Sequence, residues 1–179
     1  MPEDVTVDLS GLENLKRIIR SGNRFIREGY TQWAAIYRAD QRLRYVKYSR
    51  GGGDWAPLSP ATLARRKKGK RKNLKLTQAP KILVDKAIML SALETRFSKK
   101  KGQFEKELPD HSGIEVGYGG PGRYPKGGPT VADVASFHQK GGPNLPQRKV
   151  IDKPSAKAES RMAEVMTVKL AQAAGESNA

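Results

Sequence analysis

The sequence predicts an α+β fold with a long N-terminal helix, a C-terminal helix and a short strand-and-turn region between them. Three observations predict it. Leu12, Leu15, Ile19, Ile26, Tyr30, Trp33 and Tyr37 recur at steps of three, four or seven, the spacing of one helix face. Residues 154–174, PSAKAESRMAEVMTVKLAQAA, are rich in alanine and set Met162, Val165, Met166 and Leu170 along one side. Between these segments, IEVGY at 114–118 alternates apolar and polar residues as a strand does.

In chain order, residues 1–9 are expected to form an extended arm. Ser10-Gly11-Leu12-Glu13 fits a capping box, in which serine and glutamate satisfy each other's free backbone amides. The long helix is placed at residues 10–47. Its far face carries Lys16, Arg17, Arg20, Arg24, Arg27 and Arg38, which reads as the solvated basic back of a core helix. Gly22 and Gly29 each cost about 1 kcal/mol relative to alanine inside a helix, so a bend or close packing is expected there. Gly51-Gly52-Gly53 ends the helix. After a loop, Ser59 as N-cap and Pro60 in the first turn start a short helix over 60–68. Residues 69–80 are too basic and irregular for an element. Over 82–93, Leu83, Ala87, Leu90 and Leu93 fall at helical spacing, with Asp85 as a cap.

Residues 95–97 are expected to begin a strand, and the charged stretch 98–108 reads as a hairpin tip or flexible loop. GYGGPGRYPKGGP, 117–129, holds six glycines and three prolines, which leaves no regular element there. Thr130 caps a short helix over 130–137, and Gly141-Gly142-Pro143 stops it. Residues 146–151 are extended or turned, and 175–179 fray. Residues 10–174 therefore read as a single domain with mobile loops at 65–80, 98–112 and 117–129.

With 179 residues, 37% of them hydrophobic, the chain can bury a modest core without covalent staples. It has no cysteine. That excludes disulfides, thiolate metal sites and cysteine nucleophiles, and it fits a reducing compartment. No apolar run approaches the roughly 18 residues that cross a bilayer. MPEDVTVDLSG is acidic and polar, the opposite of a signal peptide. The expectation is a protein made and used in the cytoplasm, or in something built there, with no membrane partner. Thirty-four Lys and Arg against 18 Asp and Glu give a net charge of +16, a field that attracts polyanions. The charge is concentrated in Arg65, Arg66, Lys67, Lys68, Lys70, Arg71 and Lys72, and again in Lys99, Lys100 and Lys101.

A catalytic constellation is not legible. The two histidines, His111 and His138, form no H-x-x-x-H or H-E-x-x-H pair. Glu105 and Glu107 sit in a charged stretch with no apolar walls to raise a carboxyl pKa. The glycine-rich segment 117–128 lacks the G-K-[ST] of a phosphate loop and is read as a surface loop. His138 is read as a helix-end histidine hydrogen-bonded to backbone. An enzyme acting on DNA needs clustered carboxylates for metal, and none is seen. The expectation is no enzyme, no cofactor and no metal. The basic block 65–72 places seven charges in eight residues, enough to neutralise several phosphates with a steep salt dependence. No aromatic residue lies in the block to stack bases. A solvated tip or a contact with an acidic protein neighbour competes with that reading.

Four stretches, in order, resemble the bacteriophage virion-morphogenesis family, whose members are tail-completion and head–tail joining (neck) proteins. The first is WAPLSPATLAR at 55–65, similar to a tryptophan–proline–leucine–serine signature followed by a basic helix. The second is ILVDKAIML at 82–90, in the place of a leucine–valine–threonine–glycine–arginine–leucine helix, with Asp85-Lys86-Ala87 where that family has threonine–glycine–arginine. The third is IEVG at 114–117, in the place of a sheet strand. The fourth is VASFHQKG at 134–141 followed by PQR at 146–148. It is similar to an alanine–isoleucine–histidine–glutamine–x–glycine run and a proline–x–arginine. Lys140 stands for the usual phenylalanine, and Lys149-Val150-Ile151 for the usual aromatic–leucine pair. The four span residues 55–151, and the first and last are the more specific.

The resemblance implies a small twisted antiparallel sheet packed by helices. It implies a structural virion protein of a tailed phage, assembled in the host cytoplasm into a homo-oligomeric ring, a hexamer, at the neck or top of the tail. The partners it implies are portal, connector or head-completion proteins on one side and tail-terminator or tail-tube proteins on the other, with DNA passing through the channel. It brings no catalytic residue. Trp55 is implied as a buried anchor, with Pro57 and Pro60 setting the turn, and Leu58 and Ser59 belong to the same motif. His138, Gln139, Gly141, Pro146 and Arg148 are implied as the second motif, with His138 and Arg148 as polar pins for loops that reach a neighbouring subunit. The alternative, from charge alone, is a sequence-tolerant basic nucleic-acid-binding protein.

Overall fold

Helix α1, Ser10–Ser49, is the element on which the others are mounted. The structure, a computed structural model, describes residues 10–68, 88–109, 113–124 and 127–176; of 10–23, 65–68 and 174–176 it describes the backbone. The expected arm 1–9, the element-free stretch 69–80, His111 and the first part of the helix expected over 82–93, with Leu83, Asp85 and Ala87, lie outside the described residues.

The inward side of α1 carries Phe25, Tyr30, Ala34, Arg38, Gln41, Tyr45 and Ser49, all buried, at steps of three to five residues. Arg38 corrects the sequence reading: it is 3% exposed, not part of a solvated back. The reason is a set of acceptors that spacing along α1 does not reveal. Its Nε donates to the Glu94 carbonyl at 2.9 Å, its Nη2 to the Thr95 carbonyl at 2.6 Å, and its Nη1 pairs with Glu105. At Gly29, close packing is what the structure has. A Cβ there would lie 3.3 Å from the terminal carbon of Met166.

Helix α5, Ala156–Glu176, causes that close approach. It starts because the Ser155 hydroxyl accepts from the Ala158 amide at 3.3 Å, an N-cap arrangement. Ser155 is itself held by the Asp40 carboxylate. Further along, Trp33 donates to the Met162 carbonyl and Lys169 pairs with Glu28 at 2.8 Å. The partners move backward along α1 as α5 advances, so the two helices are antiparallel. The helix continues through 175 and 176, which the sequence reading expected to fray.

The apolar core lies at the C-terminal end of α1. It comprises Tyr45, Trp55, Met89, Ala92, Leu93, Val131, Ala135 and Val150, with Tyr48, Leu58, Tyr118 and Tyr124 packed against it. Short helix α2, Pro60–Lys68, follows the glycine turn as expected. Helix α3, Ile88–Ser91, is the described part of the helix expected over 82–93 and supplies Met89. Helix α4, Val131–Lys140, ends three residues later than expected. Thr130 and Asp133 form a full capping box at its start, each side chain accepting from the other's amide at 3.0 Å.

The sheet has two antiparallel strands, β1 at Gln103–Glu107 and β2 at Ile114–Tyr118, in register from Gln103↔Tyr118 to Glu107↔Ile114. The fold class is thus a small α+β fold with a two-stranded antiparallel sheet and helices at both ends of the chain. Strand β1 corrects two expectations. No strand begins at 95–97, and the stretch 98–108 is not a loop but a 3₁₀ turn, Lys99–Lys101, leading into β1. Its polar side chains misled the reading: Glu105 is half-buried against Arg38 of α1, and Glu107 pairs with the exposed Arg27 of the same helix, so charge on this strand marks ion pairing to α1 and not a loop. The turn between them closes on Gly102, whose φ of +79° suits glycine. A Cβ there would meet Val131 at 2.7 Å. The described part of the glycine-rich segment is tied down too. Gly119 donates to the Gly102 carbonyl, and the Val131 amide to that of Gly122, both at 2.9 Å.

Candidate functional site

The two stretches 55–60 and 138–148, some ninety residues apart in sequence, meet at one junction. Arg148, 4% exposed, donates from Nε and Nη2 to the Ala56 carbonyl at 3.2 and 3.0 Å, and from Nη2 to the Pro57 carbonyl at 3.3 Å. Trp55 answers in the other direction, its Nε1 donating to the Lys149 carbonyl at 3.1 Å. Its ring, 6% exposed, is met edge-on by Tyr45 at 4.9 Å and Tyr48 at 5.7 Å. Hydrogen bonds from a charged donor contribute about 1.5–3 kcal/mol each, so the Arg148 set is a strong tie.

Helix α4 presents the rest. Its C-terminal turn ends at Gly141, with φ +71°, whose amide donates to Phe137 at 2.9 Å. A Cβ at Gly141 would lie 2.9 Å from the Gln147 nitrogen, so the chain can fold back here only without a side chain. Gln139 then reads the returning strand of chain. Its Oε1 accepts from the Val150 and Ile151 amides at 2.9 and 3.2 Å, and its Nε2 donates to the Ile151 carbonyl at 2.9 Å. The amide of Arg148 donates to the His138 carbonyl at 2.7 Å.

His138 is half-buried, and its Nδ1 is buried with no hydrogen-bond partner among the described residues. The expectation that its ring is hydrogen-bonded to backbone is therefore corrected at this nitrogen. Burial, then the neighbouring Arg148 charge, hold its pKa below the ordinary value of 6.5. The ring is thus a neutral group beside a fixed cation.

The remaining motif residues are placed as follows. Leu58 is half-buried against the core. The exposed Ser59 hydroxyl accepts from the Thr62 amide at 3.3 Å at the start of α2, and Pro60 is the first residue of that helix. Pro57 and Pro146 are exposed. Of the basic block, Arg65, Arg66, Lys67 and Lys68 close α2, where the backbone is described, and Lys70, Arg71 and Lys72 lie outside the described residues. Beside the junction, Phe137, Lys140, Gly141, Gly142, Pro143, Asn144 and Leu145 line a shallow, open, mainly apolar hollow of about 340 Å³. Phe137 is 57% exposed there.

A second polar assembly was not read from the sequence. Arg38, Gln103 and Glu105 lie together under the turn at 94–98. Gln103 is 1% exposed; its Nε2 donates to the Glu94 carbonyl at 2.7 Å and its Oε1 accepts from the Ser98 amide. The sequence offered no clear signal for this assembly, since QFEKE is polar at four of its five positions and shows no apolar alternation. Among the described residues no group of three or more His, Asp or Glu is placed to hold a metal ion. No helix in the described part is long and apolar enough to cross a membrane. Compared with known proteins, the chain matches no family model, no curated protein and no solved structure.

Proposed function

We propose that this chain is a structural virion protein of a tailed phage, forming a ring at the head–tail junction and joining heads to tails. The observation that carries the reading is the junction itself. The two most specific stretches of the resemblance, WAPLSP and FHQKG with PQR, are distant in sequence yet bind one another through Trp55 and Arg148. Residues that serve one joint in space give a shared motif a structural meaning, which a chance likeness of separate peptides lacks. The junction is tied internally, as a rigid mount for its surroundings, and its surface bears an exposed Phe137 beside an apolar hollow of the kind subunit contacts cover. In this reading the partners are further copies of the chain, the portal or connector side of the head, and the tail terminator or tail tube, with DNA in the channel.

The test is genetic and structural together. Disrupting the gene in its phage is expected to leave separate full heads and finished tails, and electron microscopy of wild-type particles to place a ring of this protein at the neck. Complete infectious virions from the disrupted phage end the proposal.

A further inference from the structure

The segment Arg96-Phe97-Ser98-Lys99-Lys100-Lys101 packs four positive charges and one aromatic ring into six residues. Arg96, Phe97 and all three lysines are exposed. Lys101 pairs with Glu94, whereas Arg96, Lys99 and Lys100 make no ion pair among the described residues. Phe97 is 37% exposed, and the Arg38 guanidinium lies 6.0 Å from its ring centre on the inner side.

What distinguishes this patch from an ordinary basic loop is its support. Buried Arg38 holds the carbonyls of Glu94 and Thr95, and buried Gln103 holds the Glu94 carbonyl and the Ser98 amide. The three lysines sit on a 3₁₀ turn closed by bonds from Lys101 to Ser98 at 3.1 Å and from Gly102 to Lys99 at 3.0 Å. Gly102 is wedged against Val131 of the core. The cations and the ring are therefore mounted on a fixed stage, and a ligand gathers them at little cost in ordering. Clustered cations fit phosphates, and an exposed aromatic face fits an unpaired base, which offers its own face where a duplex hides it.

We propose that Arg96, Phe97, Lys99 and Lys100 form a contact surface for single-stranded nucleic acid, the cations on successive phosphates and Phe97 against a base. These residues are distinct in sequence from the basic block 65–72, and the assignment does not rest on the head–tail reading, so either can fail without the other.

Fluorescence anisotropy of the full chain with labelled oligothymidylate, and with a duplex of equal length, tests it across a salt series. Lys99→Gln with Lys100→Gln is expected to weaken oligothymidylate binding about tenfold and to lower the slope of log affinity against log salt by about 1.4, two phosphate contacts' worth. Phe97→Leu keeps an apolar side chain over Arg38 and is expected to lose about fivefold on the single strand, with duplex binding unchanged. Thermal unfolding of each variant checks that the stage is intact. Absence of wild-type binding, folded glutamine variants that bind as the wild type does, or a Phe97→Leu change that leaves single-strand affinity untouched overturns the assignment.

Discussion

The two halves of α1 are held in opposite ways. At its C-terminal end, Tyr45 and Tyr48 enclose Trp55 edge-on within a cluster of Met89, Leu93, Val131 and Val150, where shape excludes water. Towards its middle, α1 packs closely on α5 at Gly29 and is tied to it by polar contacts, Glu28 with Lys169 and the Trp33 indole on the Met162 carbonyl, while Asp40 with Ser155 and Arg44 with Asp152 at 3.0 Å hold the segment that leads into α5. Several of those points stand at the surface, where ion pairs contribute little and salt screens them. The lesson is that one helix joins an apolar cluster at its end to a helical pair that adds polar and charged ties to its buried contacts. Amides of α5 are expected to exchange with solvent through local opening, while those around Trp55 exchange through global unfolding.

Breaking the sealed side has the largest expected effect. Trp55→Ala removes the ring against which both tyrosines pack and leaves a cavity at the junction. The expected loss is about 4 kcal/mol in denaturant unfolding, shared by every probe of structure. Arg38→Ala tests the buried polar assembly. It strips the charge partner from Glu105 and the Arg38 donor from the Thr95 carbonyl, and leaves the Glu94 carbonyl to Gln103 alone, for an expected loss of about 3 kcal/mol. Arg38→Met, which fills the space, tells lost packing from lost bonding.

A smaller effect follows from His138. Its folded pKa lies below 6.5, so the folded state binds fewer protons than the unfolded chain as the ring titrates. The stability that the neutral ring contributes is fully present above that ordinary value and is lost as pH falls through the folded pKa. Thermal melts from neutral to mildly acid pH should decline in that window, and His138→Gln should flatten the decline. The smallest effect sharpens the comparison from the other side. Gly29→Ala adds helix propensity worth under about 1 kcal/mol. The new methyl meets the flexible end of Met166 at 3.3 Å and the Lys169 side chain at an ordinary 3.6 Å, so the expected result is slight stabilisation, seen as slower exchange of α5 amides and little change near Trp55.

The ends of elements were legible where a side chain itself makes the cap. Thr130 with Asp133, and Ser59 before Pro60, declared α4 and α2 through local chemistry. The alternation of IEVGY gave β2 its limits. Strand β1 was not legible because QFEKE puts its inward bonds on Gln103 and Glu105, so the usual apolar signal is replaced by hydrogen bonding, to the preceding turn for Gln103 and to distant Arg38 for Glu105. Arg38 failed for the same reason: its acceptors come from 56 to 67 residues further on, and no spacing along α1 announces them. Of the candidate site, Trp55 and Arg148 stood out as members of short motifs, but that each anchors the other's loop is knowable only from the fold.

That mutual anchorage has a consequence for synthesis. Trp55 leaves the ribosome well before the chain that covers it, Lys149 and Val150, which is translated almost a hundred residues later. Through that interval the greasy Tyr45–Trp55 face of the nascent polypeptide has no lid and is a ready target for a chaperone. A chain cut short before Arg148 cannot close around the indole.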